Sequence, residues 1–94
     1  MKVYGVVLDE VTEENIEIGR RVSEKYPDHY RLNESFYLIK TQEDKSVDIA
    51  RMIGIRGEDQ VENCGGVVFR LSQHYSGFAA GSLWEWLEDA FEQD

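Results

Sequence analysis

The sequence predicts an α+β domain in which a small antiparallel sheet is covered by helices. Two short runs, residues 2–9 and 66–72, are dense in β-branched and apolar side chains and bounded by turn or charged residues. Runs of that length suit buried strands better than core helices. Two further strand-like runs flank Asn33-Glu34 at hairpin distance. Between and after them lie stretches with helical periodicity. A chain of 94 residues is long enough for one such domain, spanning 1–94, and too short for two.

The first strand runs over 2–9 through Val3, Tyr4, Val6, Val7 and Leu8, and Asp9 and Glu10 end it. A helix is expected over about 12–26, with Thr12 as its N-cap. Val11, Ile18 and Val22 fall on one stripe of it, with Tyr26 near its end. Glu13, Glu14 and Glu17 precede Arg20, Arg21 and Lys25, an order that complements the helix dipole. Glu17 and Arg21 are also spaced to pair along the helix. Tyr26-Pro27 stops it, because the residue before proline avoids the α region.

His29-Tyr30-Arg31-Leu32 and Phe36-Tyr37-Leu38-Ile39-Lys40 form the hairpin, with Asn33-Glu34 as its turn. A short helix over about 45–53 carries Val47, Ile49, Ala50, Met52 and Ile53, and Gly54 is placed to end it. Residues 54–64 are polar and glycine-bearing, hence a loop. Residues 66–72 read as a second buried strand, and 74–79 either pair with it or lead out. The last helix opens on a capping box, Ser82-Leu83-Trp84-Glu85. Leu83, Trp84, Trp86, Leu87, Ala90 and Phe91 share an arc of roughly 160° at the helical 100° per residue. Glu85, Glu88, Asp89 and Glu92 take the other side. The apolar arc packs on the chain's own sheet or on a second copy.

Strand–helix–strand, repeated around a central hairpin, is the ferredoxin-like βαββαβ arrangement. It implies an antiparallel sheet with helices on one face and a C-terminal amphipathic helix added to that core.

Charge narrows the function. Nineteen acids against ten bases give a net charge of −9. Nucleic-acid binders carry basic patches, so direct contact with DNA or RNA phosphates is disfavoured, as is an anionic membrane. An acidic surface suits a basic protein partner, although excess acid also serves solubility alone. The single cysteine, Cys64, excludes an internal disulfide and fits a reducing compartment. The apolar run Val3 to Leu8 is too short for a membrane span or a signal peptide, so the cytoplasm is the expected location.

Three segments carry a resemblance. The strand ending in Asp9, the run Ser35-Phe36-Tyr37-Leu38-Ile39-Lys40-Thr41, and Val67-Val68-Phe69-Arg70-Leu71 leading to Ser82-Leu83-Trp84-Glu85-Trp86-Leu87 resemble short bacterial and phage proteins labelled SinR-like. In layout they are similar to the small CRISPR adaptation protein family. The resemblance spans most of the chain and consists mainly of strand patterns. It implies a ferredoxin-like domain that dimerises through its sheet edge or C-terminal segment. In the CRISPR adaptation family an aspartate closing the first strand contributes to a metal site shared across the dimer, and Asp9 matches that position. The surfaces of that family that meet nucleic acid are basic. Here Glu10, Glu13 and Glu14 surround Asp9, and no base stands between Lys2 and Arg20.

Candidate chemistry is sparse. Asp9, Glu10 and Glu13 offer carboxylate oxygens to Mg²⁺, and paired metals support phosphodiester cleavage. The same residues are accounted for by a strand end and a helix start. Cys64 and His74 are a possible nucleophile–base pair, but Asn63-Cys64-Gly65-Gly66 also reads as a turn into a strand. One cysteine with His29 and His74 lacks zinc spacing. The glycines Gly54, Gly57, Gly65 and Gly66 lack the lysine and hydroxyl of a phosphate loop. Tyr75, Phe78, Trp84 and Trp86 form either an exposed binding cluster or the core under the last helix.

The reading that results is a non-catalytic interaction module without a cofactor. Two segments free of bases carry it: 9–17, with Asp9, Glu10, Glu13, Glu14 and Glu17, and 82–94, with Glu85, Glu88, Asp89, Glu92 and Asp94. Of these, Glu10, Glu13, Glu14, Glu17, Glu85, Glu88, Asp89 and Glu92, with Trp84 and Trp86, are the candidate protein-binding residues. Carboxylates so grouped can stand where a basic protein expects phosphates, as in phage inhibitors of restriction or CRISPR systems. The alternatives are a Mg²⁺-dependent nuclease centred on Asp9, and an immunity or structural subunit for a partner from the same operon.

Overall fold

The computed structural model describes residues 1–72 and 81–92. Its elements are β1 (Lys2–Leu8), α1 (Asn15–Lys25), β2 (His29–Asn33), β3 (Phe36–Thr41), α2 (Ser46–Ile53), β4 (Gly66–Leu71) and α3 (Gly81–Glu92). The four strands form one sheet in the order β2-β3-β1-β4, with every neighbouring pair antiparallel. The expected α+β class with an antiparallel sheet is therefore observed. Residues 74–79, expected either to pair with the preceding strand or to lead out of it, lie outside the described residues.

Alternation along the strands separates two cores. On one face, Tyr4, Val6, Leu8, Tyr37 and Ile39 meet Ile18 and Val22 of α1, Tyr26 just after it, and Ile49 and Ile53 of α2. On the other, Leu38 meets Leu83 and Leu87 of α3, with Tyr30, Phe36, Leu71, Trp84, Trp86 and Phe91 packed around them. The apolar arc of the last helix thus covers its own sheet, on the side opposite α1 and α2. Trp84 and Trp86 are both half-buried there, and the Trp86 ring lies 6.3 Å from that of Tyr30.

Several boundaries differ from expectation. The first helix begins at Asn15, not Thr12. The amides of Asn15, Ile16 and Glu17 donate to the carbonyls of Thr12, Glu13 and Glu14, a tight i−3 turn before the regular helix. The Thr12 hydroxyl pairs with Asn15 Oδ1 instead of capping the helix. Val11 is accordingly outside the buried stripe and 64% exposed. The hairpin turn falls at Glu34-Ser35, because Asn33 ends β2 and its Oδ1 accepts from both the amide and the hydroxyl of Ser35. Gly54 ends α2 with a left-handed φ of 90°, as glycine does without strain.

The run 66–72 is not a fully buried strand. Among the described residues it is an edge of the sheet, with Val67 62% and Phe69 37% exposed. Composition alone does not separate a buried strand from an apolar edge. Phe69 finds partial cover over Gly5, where a Cβ would sit 2.4 Å from its ring. Ser82 is not a cap either. It is the second residue of α3, and its hydroxyl hydrogen-bonds the Tyr30 hydroxyl at 2.6 Å.

Candidate protein-interaction surface

Three chain connections meet at one end of the sheet: the segment from β1 to α1, the β2–β3 turn, and the segment entering β4. Backbone bonds clamp them. Leu8 N–H donates to Ser35 O at 2.8 Å, and Asp9 N–H donates to Gly65 O at 3.0 Å. Asn15 is the hub. Its buried amide nitrogen donates to Glu10 O at 2.8 Å and to Glu34 O at 3.3 Å, while its oxygen accepts from the Cys64 thiol at 3.3 Å.

This clamp gathers carboxylates. Asp9, Glu10 and Glu13 are exposed and Glu14 is half-buried. Glu34, from the hairpin, and Glu62, from the segment entering β4, are exposed at the same end. None of the six forms an ion pair among the described residues. Glu34 and Glu62 were not among the sequence candidates. They are far from 9–14 in the chain, and only the hairpin register and the Asp9–Gly65 bond bring them there. Glu17 behaves differently. Arg20 and Arg21 both hydrogen-bond its carboxylate and hold its pKa down at about 2. Its charge is balanced within α1, so it adds little to the acidic end.

The second acidic segment lies elsewhere. Glu85, Glu88 and Asp89 are exposed on α3, across the sheet from α1, and form no ion pair among the described residues. Glu92 is the last residue of α3. Trp84 and Trp86 pack in the α3 core rather than forming an open aromatic cluster. Tyr75 and Phe78 lie outside the described residues, as does His74.

The remaining chemical candidates gain little from the fold. Among the described residues no group of three or more His, Cys, Asp or Glu side chains is placed to hold a metal ion, so Asp9, Glu10 and Glu13 do not converge as a ligand set. Cys64 is buried, and burial, with Asp9 and Glu14 nearby, pushes its thiol pKa up. A thiol so held is a poor nucleophile. Cys64 should therefore resist iodoacetamide at neutral pH until the domain opens. Labelling of the folded protein as fast as that of a free thiol would contradict this packing. Among the described residues no helix is long and apolar enough to cross a membrane.

Comparison of the chain with family models, curated proteins and solved structures finds no match.

Proposed function

We propose that this is a non-catalytic interaction domain that binds a basic protein through the acidic end of its sheet. The observation that carries the reading is that three connections bonded to one another at one end of the sheet carry Asp9, Glu10, Glu13, Glu14, Glu34 and Glu62, none of them in an ion pair among the described residues. Like charges held together raise the local potential, steer a basic partner and favour it over neutral ones. Surface acid serving solubility alone has no need of such a clamp. The sharper form of the proposal is an inhibitor, of the kind phages and mobile elements direct at restriction or CRISPR proteins, whose carboxylates stand in for nucleic-acid phosphates. Its place of action is the cytoplasm.

The scaffold proposed for it is the ferredoxin-like βαββαβ core. The strand order β2-β3-β1-β4 supports this, since each helical crossover, β1 to β2 and β3 to β4, passes over one intervening strand. The added helix α3, with its exposed acids Glu85, Glu88 and Asp89, is a second and smaller contact face.

Affinity capture from the native host, followed by titration with the purified partner, tests the reading. The combined variant Glu10→Lys, Glu13→Lys and Glu14→Lys should lose at least about tenfold in affinity. Wild-type binding should also weaken steeply with added salt, since these charges are exposed to screening. Binding that ignores both salt and charge reversal would exclude the acidic end as the contact.

A further inference from the structure

We propose that the partner docks as an extended strand on the outer edge of β2 and lodges apolar side chains in the groove beneath α1, with its lysines or arginines meeting the acidic end. This deepens the interaction reading above and rests on it.

Among the described residues β2 is the outermost strand of the sheet, and none of them pairs with its outer edge. Lys40 N–H donates to Asp28 O at 2.9 Å, which makes that position a hydrogen-bonded pair of the antiparallel ladder. Alternation then leaves the backbone N–H and C=O of His29 and Arg31 pointing away from β3, without a ladder partner among the described residues. The register shifts between Arg31 and Asn33, so regular addition ends there. An added strand therefore engages the first half of β2.

The groove lies beside that edge. It encloses about 780 Å³ between α1 and β2, and Val11, Ile16, Tyr37, Glu13, Glu34 and Arg31 line it. Ile16 is 77% exposed and Val11 64%, the two most exposed large apolar side chains among the described residues. Neither helps the core of this chain, and both are the surface an alternating apolar side chain would cover. His29 and Arg31 carry both the outward backbone groups and side chains that line the groove. Main-chain bonds and every-other-side-chain pockets are thus available together, the two components of strand addition.

Charge selects the occupant. Glu13 and Glu34 line the groove without ion pairs among the described residues. Arg20, at the far side, is already held by Glu17 and Glu24. Among the described residues that line the groove, Arg31 is then the one arginine without a carboxylate partner, against Glu13 and Glu34. A segment that alternates apolar and basic residues matches edge, groove and rim at once.

The test uses a fluorescent alternating valine–lysine peptide of about eight residues, read by anisotropy. It should bind the wild-type domain. Arg31→Ala keeps the outward N–H and removes a like charge from the rim, so it should bind the lysine-bearing peptide at least as tightly as wild type. Arg31→Pro removes that N–H and should lose at least about tenfold, as should Ile16→Asp, which spoils the groove. Should Arg31→Pro unfold by circular dichroism, the same peptide N-methylated at alternate amides removes the ladder from the other side and should also fail to bind. Equal binding of the methylated peptide, still sensitive to salt, would overturn strand addition while leaving the acidic-end reading intact. No binding of the unmodified peptide to a domain that captures its basic partner would also overturn it. Failure of basic partners altogether would overturn the reading beneath it.

Discussion

Replacing Ile39 by alanine should destabilise the domain by about 3 kcal/mol, the middle of the range for a fully buried large-to-small change. Ile39 has no exposed surface, and it pairs with Tyr4 across the two central strands. It faces the core that α1 and α2 share, so the missing atoms leave a cavity between three elements rather than a dent at the surface. A domain of this size has only about 5–15 kcal/mol to lose. The melting temperature should fall by roughly 10–25 °C. Val67→Ala on the exposed edge strand is the control and should change stability by less than about 0.5 kcal/mol. A loss below about 1 kcal/mol at Ile39 would mean that the central core is not packed as described.

Asn15→Asp should cost about as much, with a telling pH dependence. The side chain amide of Asn15 donates to the carbonyls of Glu10 and Glu34. An ionised carboxylate there would face two carbonyl oxygens in a buried position, losing both bonds and adding repulsion, about 3 kcal/mol in all. Protonation relieves part of this, because a carboxylic acid can donate again. The introduced group therefore has a folded pKa raised above its unfolded value of about 3.9. With the folded pKa raised, the folded state binds more protons between the two values, and stability falls as pH rises through that window. The variant should come closest to wild type below about pH 4 and be weakest at neutral pH. Asn15→Leu should be destabilised too, with no such added pH dependence. Denaturant titrations at several pH values separate the two. Equal deficits at all pH values for Asn15→Asp would show that the side chain escapes to solvent. Because Asn15 ties the segment after β1 to the hairpin, both variants should also weaken binding to a basic partner.

Most of the element order was legible in the sequence. Strands β1 and β3 are dense in β-branched and aromatic residues, α2 ends on a glycine, and Tyr26-Pro27 can only stop a helix. What misled was chemistry that serves two purposes. Thr12 has a capping hydroxyl, yet Asn15 engages it. Ser82 begins a capping-box pattern, yet its hydroxyl reaches Tyr30. Val67 and Phe69 look like core and lie on an edge. Ser82 and the edge strand were decided by partners distant in the chain and Thr12 by a side chain three residues on, and the local pattern does not rank any of these partners in advance. The candidate site divides in the same way. Asp9, Glu10, Glu13 and Glu14 were visible as a base-free run. Glu34, Glu62 and the hub Asn15 were not, since nothing near them in the chain marks them out.

By itself the sequence determined the α+β class, the excess of acid, the stretches where that acid runs without bases, and the amphipathic character of the last helix. These follow from composition and from periods of two and 3.6 residues, which act over a few positions. Tertiary structure alone decided that α3 covers the sheet opposite α1 and α2, and that Glu17 is balanced while its neighbours are not. It alone also joined three separate connections into one acidic end beside an outer strand of the sheet. Those outcomes depend on strand register and on which groups the folded chain brings within bonding distance. Long-range contacts set both, and no local stretch of residues encodes them.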